Sequence, residues 1–328
     1  MKRVSLELGS GGKLMRDFIT EKIVPIFRNP FLEELSDSSY LPRNFAFTTD
    51  SYVVDPIFFP GGDIGTLCVN GTVNDLIVSG AEPKYISLSL ILEEGLLWEE
   101  LDTVLNSIRK TAIMSGVEIT TGDTKVVRRG QADKMYINTS GLGVIMAKPS
   151  PHKIKPGDKI ILTGTLGEHS LAVMLARGDF SLKSPVKSDC AALNFLLPIW
   201  KKGPLWMRDI TRGGLATVLS ELAERIPYSL LIEEDKIPLS RAVRGATELL
   251  GIDPLYLACE GRAVLVVPRR LANQLLKELR KDKLGKKAEI IGEVEDKVGK
   301  PGQLLLTTEA GGLRLLEPLT SELLPRIC

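Results

Sequence analysis

The sequence has only two histidines, His152 and His169, and four cysteines, Cys68, Cys190, Cys259 and Cys328, with no CxxC pair among them. Ligands so few and so far apart argue against a structural zinc site. No run approaches the roughly 18 apolar residues of a membrane span. Met1-Lys2-Arg3-Val4-Ser5 leads into polar, glycine-rich sequence, so neither a signal peptide nor a membrane association is expected. A basic block is also missing: 42 Lys and Arg stand against 41 Asp and Glu, for a net charge of +1. Nucleic-acid binding therefore has no electrostatic footprint. There is no short-period repeat and no GxxxxGK[ST] loop. What remains is a balanced globular chain of 328 residues, 44% hydrophobic and 25% charged, long enough for about two domains. Its separated thiols suit the cytoplasm.

The patterning predicts an α/β (layered α+β) fold. Strands are expected at Phe45–Thr49, Lys84–Leu92 and Met135–Met146, the last with Gly141 and Gly143 at close approaches. A helix is expected over Ile64–Ser79 with Gly80 after it. Leu101, Val104, Leu105, Ile108 and Ala112 mark a second helix, closed by Gly116. Lys148-Pro149-Ser150-Pro151 reads as a linker. Beyond it come strands Lys159–Thr163, Ala263–Val267 and Glu289–Val294, and helices Ser170–Arg177, Gly214–Arg225 and Arg269–Lys281. The division is 1–148, 149–312, and a mobile tail at 313–328 that carries Cys328. Roughly 17 extended residues reach about 55 Å, enough to enter a site elsewhere on the molecule or on a partner.

Several clusters have chemistry in them. Gly9-Ser10-Gly11-Gly12-Lys13 has the backbone freedom to wrap an anion, or is a plain flexible turn. Thr49-Asp50-Ser51 and Pro60-Gly61-Gly62-Asp63-Ile64-Gly65 precede a helix on which Asp63, Asn70 and Asn74 form a polar stripe, with Asp75 beside it. Buried amides and acids without partners are costly, so the stripe should face something polar; for Asp63 alone, a helix cap suffices. Thr121-Gly122-Asp123-Thr124-Lys125 adds an acid and a lysine at a strand end, or is a turn with a surface pair. Asp50, Asp63, Asp75 and Asp123 together would offer the oxygen ligands Mg²⁺ favours. Asp209-Ile210-Thr211-Arg212-Gly213-Gly214 opens a helix in a manner suited to phosphate, or is a helix start capped by Thr211. Glu260, just before a strand, stands where a general base would. His169 reads as a structural histidine at a helix start. Cys328 is the odd one: a terminal thiol, only a few per cent ionised at neutral pH.

Together these segments resemble the PurM-like family of aminoimidazole ribonucleotide synthetase, selenophosphate synthetase and thiamine-monophosphate kinase. Within it they are most similar to the hydrogenase-maturation carbamoyl dehydratases. The resemblance covers nearly the whole chain. It rests on Gly9–Gly12, Thr49–Val54, Phe58–Gly65, Gly71-Thr72-Val73-Asn74-Asp75-Leu76, Gly122–Val127, Asp209–Gly214 and the final Pro325-Arg326-Ile327-Cys328. It implies a first domain whose sheet forms a homodimer, with ATP near the subunit interface, and a second α/β domain. A carbamoyltransferase (HypF) would load Cys328, ATP would activate the thiocarboxamide, and the nitrile would pass to iron on HypC–HypD, as the cyanide of [NiFe]-hydrogenase.

The same resemblance assigns Asp50, Asp63, Asp75 and Asp123 to Mg²⁺ and Gly9, Ser10, Gly11, Gly12, Asn74, Asp75, Asp123 and Thr124 to ATP. Glu260 becomes the base, with Lys125 beside the nitrogen and Cys328 as carrier. A selenophosphate synthetase would need a cysteine or selenocysteine near Gly9–Gly12, and none is there. A passive carrier would have no use for the acids.

Overall fold

The computed structural model describes residues 4–9, 12–32, 35–178, 184–319 and 326–328. After the short helix α1 (Lys13–Phe18) come strands β1 (Ser39–Leu41), β2 (Phe45–Tyr52), and the small β3 (Phe58–Phe59) and β4 (Gly62–Asp63). Helix α2 (Ile64–Val78), β5 (Ala81–Glu93), α3 (Trp98–Ser115), β6 (Glu118–Val127) and β7 (Met135–Ile145) follow. The first sheet runs β1-β2-β7-β5-β6, with only the β5–β6 pair parallel.

Helix α2 is apolar nearly all round, and thirteen of its fifteen residues are buried. Such a helix needs neighbours on every side. It has them: β2, β5 and β7 on one side, α3 on another, and the Trp206–Asp209 strand of the second domain on a third. Gly71 permits the approach to β2, because a Cβ there would collide with the Tyr52 hydroxyl. The sheet's other face carries exposed Phe47, Tyr85 and Ile91.

The second domain is ordered β8 (Lys159–Leu162), α4 (Glu168–Arg177), α5 (Leu197–Trp200), β9 (Trp206–Asp209), α6 (Gly214–Ala223) and β10 (Ser229–Glu233). It continues with α7 (Arg241–Leu250), β11 (Ala263–Val267), α8 (Ala272–Leu279), β12 (Glu289–Glu295), β13 (Leu304–Thr307) and β14 (Leu313–Leu316). Its sheet runs β14-β13-β10-β12-β8-β11-β9. Strand β11 is buried throughout: Val264 and Val266 pack with Leu215 and Leu219 of α6, while Leu265 and Val267 join the core shared with Val73 and Ile77 of α2. The two domains therefore meet over common apolar packing.

Two expectations change here. Thr121–Lys125 lies inside β6 rather than at a strand end; β6 is exposed on both faces at the sheet edge, so it lacks the one-sided apolar alternation that betrays a strand. Leu313–Leu316, placed in the tail by the sequence, pairs with β13 and buries Leu316. No helix among the described residues is long and apolar enough to cross a membrane.

Candidate functional site

Asp37, Asp75 and Asp209 converge where the two domains meet, their carboxylate oxygens within 4.8 Å of one another. Asp75 comes from α2, Asp209 ends β9, and Asp37 lies just before β1. Thr48 donates to Asp75 at 2.8 Å. Arg208 closes the group, with Nε 3.0 Å from Asp37 and Nη1 2.8 Å from Glu221. Asp50, on the inner side of β2, accepts from the Tyr52 hydroxyl at 3.1 Å.

Burial and mutual repulsion raise Asp50, Asp75 and Asp209. Burial, then Asp37, pushes Asp209 up to about 8 against the opposing charge of Arg208. Burial, then Asp50 and Asp209, holds Asp75 well above the usual carboxylate range. Asp50 is also raised, chiefly by burial and partly offset by Arg212. Glu260 is 3% exposed. Its Oε1 has no hydrogen-bond partner among the described residues. Burial first, and then Asp209, Asp189 and Asp50, drives its pKa well up. Three carboxylates this close, Asp209 buried and Asp37 and Asp75 half-buried, form the hard oxygen-donor set that a dication such as Mg²⁺ takes; the residues fit that ion.

Next to the acids lies a cavity of about 330 Å³ bordered by Gly12, Arg16, Arg208, Thr211, Arg212 and Arg225. Gly213 and Gly214 both have positive φ, +83° and +66°, and a Cβ on Gly214 would strike the Leu255 and Tyr256 backbone. That turn starts α6 at the cavity wall. The Arg212 guanidinium donates to the Gly9 carbonyl at 2.7 Å, so the N-terminal loop is drawn over the same place. Gly12 sits against Leu319, whose carbonyl accepts from the Lys13 N–H at 2.8 Å. Ser10 and Gly11 lie outside the described residues.

The remaining expected site residues are distributed differently. Asp63 caps α2, accepting from Thr66 N–H at 2.8 Å and from the Ser107 hydroxyl. The Asn74 amide is engaged by the second domain: it donates to Ala191 O at 3.1 Å and accepts from Leu193 N–H at 2.8 Å. Asn70 donates to Cys190 Sγ. Asn70 and Asn74 of the polar stripe thus face the 190–193 segment, through the Cys190 sulfur and the backbone respectively. Asp123 and Lys125 pair at 2.7 Å in the open, and this hydrogen bond lowers the Asp123 pKa. Register sets Asp123 opposite Ser89 and Lys125 opposite Ile91, the row that holds exposed Tyr85 on the sheet's open face, whereas Asp50 is on the side of α2. Thr124 lies between them on the exposed β6. One chain by itself does not bring Asp123 to the buried acids.

Cys328 is half-buried against the shared core, beside the 3%-exposed Ile327. Its main-chain oxygen accepts from Val53 N–H at 3.2 Å, three residues beyond Asp50. Asp37 had no signal in the sequence; it sits in an irregular Ser36-Asp37-Ser38 stretch. Asp209 was visible only as part of a helix-start motif.

Comparison with known proteins identifies the family. Residues 37–145 match the family model "AIR synthase related protein, N-terminal domain", and residues 155–302 match its C-terminal counterpart. The carbamoyl dehydratase HypE of Rhodobacter capsulatus is 43% identical over 337 aligned residues, covering 100% of this chain and 98% of that protein. A solved HypE in complex with ATP superposes with a TM-score of 0.83 at 42% identity, covering 99% and 100% of the two chains. The structure of a HypE–HypF complex gives a TM-score of 0.87 at 40% identity over 92% of this chain and 99% of that one. A relationship that spans both domains at such identity leaves one assignment: the chain belongs to the AIR synthase related family and, within it, to the carbamoyl dehydratase HypE family of hydrogenase maturation.

Proposed function

We propose that this chain converts an S-carbamoyl group on Cys328 into a thiocyanate at the expense of ATP, furnishing the cyanide ligand of [NiFe]-hydrogenase iron. The observation that carries the reading is the docking of the Cys328 end along Val53–Asp55, just past β2, the strand that holds Asp50.

Asp37, Asp75 and Asp209 would hold Mg²⁺, with Asp50 beside them, and the arginine-lined cavity bordered by Gly12 suits phosphate oxygens. ATP supplies the phosphoryl group that makes the amide oxygen a leaving group, and the dication neutralises charge on the phosphates. The balance is simple. The thiocarboxamide S–C(=O)–NH₂ loses one N–H proton as its oxygen gains the phosphoryl group; loss of the second proton expels phosphate and leaves S–C≡N. A base must take those protons. Glu260 is that base: a dication on the acids would lessen the repulsion from Asp209 and Asp50 that adds to burial in raising its pKa, and so would increase its proton-accepting capacity.

Asp63 remains a candidate metal ligand only if it leaves its capping role. Asn74 acts by aligning the two domains around the nucleotide. Thr124, in register with Leu90, is on the face of the sheet opposite Asp123 and Lys125. Asp123 and Lys125 serve a site completed by a second copy, since they project from the open sheet face with Phe47, Tyr85 and Ile91. Such an apolar face suits an isologous homodimer. The carbamoyl group would come from a HypF partner and the nitrile leave to a HypC–HypD complex.

Intact mass decides the matter. Carbamoylated protein should carry about 43 Da on Cys328 and lose about 18 Da with Mg-ATP. An adduct that ATP leaves unchanged would reduce the chain to a carrier, and no adduct would point to a small-molecule kinase or synthetase.

A further inference from the structure

The end of the chain lies alongside Val53–Asp55. Val53 N–H donates to the Cys328 oxygen at 3.2 Å and Asp55 N–H to the Arg326 oxygen at 3.3 Å, while Arg326 Nε returns a bond to Val53 O at 3.0 Å. Arg326 takes a left-handed φ of +57°, and the Ile327 carbonyl, between the two that accept from Val53 and Asp55, is turned into the protein, where an unpaired oxygen would be costly.

It meets His169 at the start of α4. The ring Nε2 is 2.9 Å from Ile327 O, and Nδ1 is 2.8 Å from Ser188 Oγ. A carbonyl only accepts, so Nε2 bears the hydrogen. The ring is fully buried and held neutral by that burial, its pKa lowered to about 4. Nδ1 is then bare and accepts from the Ser188 hydroxyl. Ser188 in turn accepts from Cys190 N–H at 3.0 Å, and its own N–H donates to Pro60 O at 2.7 Å, in the β3–β4 turn of the first domain. Phe59 packs edge-on against the imidazole, with ring centroids 5.3 Å apart. Every position on the ring is committed, and the result is one donor aimed at the peptide next to Cys328.

We propose that His169 is a positioning residue for the reaction: its Nε2–H holds the Ile327 carbonyl and so fixes where the Cys328 sulfur stands. It touches neither nucleotide nor carbamoyl group. It acts through the chain end, and Arg177, which donates to both the Arg326 and Asp55 carbonyls, holds the next residue in the same way. The catalytic consequence rests on the function proposed above; the latch itself does not.

The test uses full-length protein and two variants, His169→Phe, which keeps a ring and loses the donor, and His169→Gln, whose amide N–H can replace it. The first readout is the iodoacetamide alkylation rate of each cysteine by peptide mass. The second, on carbamoylated protein, is the single-turnover loss of about 18 Da with ATP affinity measured in parallel. Losing one buried hydrogen bond should speed Cys328 alkylation at least about fivefold in His169→Phe. Cys68, Cys190 and Cys259 should be unaffected, and His169→Gln should return to near the wild-type rate. Dehydration should slow in the same order while ATP affinity holds.

A wild-type Cys328 rate in His169→Phe overturns the proposal, as does a glutamine variant as fast as phenylalanine. If all four cysteines react together, the Phe variant has unfolded, and Ser188→Ala decides instead: faster alkylation of Cys328 alone supports the latch, and no change overturns it. Wild-type protein that fails to lose water sinks the proposed function, while the alkylation series still judges His169.

Discussion

Arg208 Nε lies 3.0 Å from Asp37 Oδ1, so β9 of the second domain supplies the cation for an acid carried by the loop before the first sheet. The same guanidinium meets Glu221 at 2.8 Å. Replacing Arg208 by Met would leave these acids with an uncompensated buried charge and cost about 3 kcal/mol or more. Urea denaturation should show that loss, and adding Asp37→Asn should restore part of it. Additive losses in the double variant would mean that the pair is not coupled.

The acids themselves oppose folding. A carboxylate whose native pKa is raised, as for Asp209 at about 8, destabilises the native state increasingly as pH climbs above its unfolded value near 3.8. In chelator-treated buffer at neutral pH, Asp209→Asn should melt about 2 °C or more above wild type and show no ATP turnover. Magnesium should raise the melting temperature of wild type and not that of the variant. A destabilised Asp209→Asn protein would mean that the carboxylate is held by its arginine more than it is repelled.

His169 gives the opposite pH dependence. Its native pKa of about 4 lies below the ordinary 6.5, so the unfolded chain binds the extra proton between those values. Stability is complete above pH 6.5 and falls by up to about 3 kcal/mol as pH drops to 4. Because the raised acids gain stability over the same descent, the clean measurement is wild type against His169→Gln. The gap between their unfolding free energies should change by about that amount from pH 7 to pH 4.5. Parallel curves would sink the assignment.

Gly71 lies under Tyr52. Gly71→Ala drives a methyl into the tyrosine hydroxyl and should cost about 1–3 kcal/mol. Tyr52→Phe on that background removes the clashing oxygen and should recover part of the loss, a non-additivity that only direct contact produces.

Asp123 and Asp75 belong to one proposed site but to opposite sides of the sheet within a chain. Asp123→Asn and Asp75→Asn should each be inactive alone. Mixed after subunit exchange, they should regain about a quarter of wild-type turnover, since half the dimers are hybrids with one intact site of two. No recovery would place both residues in a site built by one chain.

How much of this was readable beforehand follows from which residues speak locally. Helices α2 and α3 announced themselves because Gly80 and Gly116 end them with positive φ and because a buried apolar run needs no partner to be noticed. Strand β6 did not: Glu118–Val127 is exposed on both faces, so no alternation marks it. Helix α7 contains Gly245 and two arginines and lacks a strong apolar run. At the site, Asp75, Asp50 and Glu260 stood in recognisable motifs. Asp37 did not, since its meaning comes only from a fold that brings three distant segments together. The bland reading of Asp63 as a helix cap describes its contacts, and Asn70 and Asn74 of the stripe do face polar atoms, the Cys190 sulfur for Asn70 and peptide groups of the second domain for Asn74.

The enclosure of α2 sets an order of events during synthesis. The helix is made early, yet the backbone at 190–193 that takes Asn74, and the Trp200 indole that donates to Ile77 O, leave the ribosome more than a hundred residues later. Until then the first domain carries an uncovered apolar helix face and two unsatisfied amides. A fragment ending near residue 148 should therefore associate or bind chaperones instead of standing alone. Residues 326–328, which lie beside Val53, emerge later still, so that strip of the first domain is also covered only after the second domain has been made.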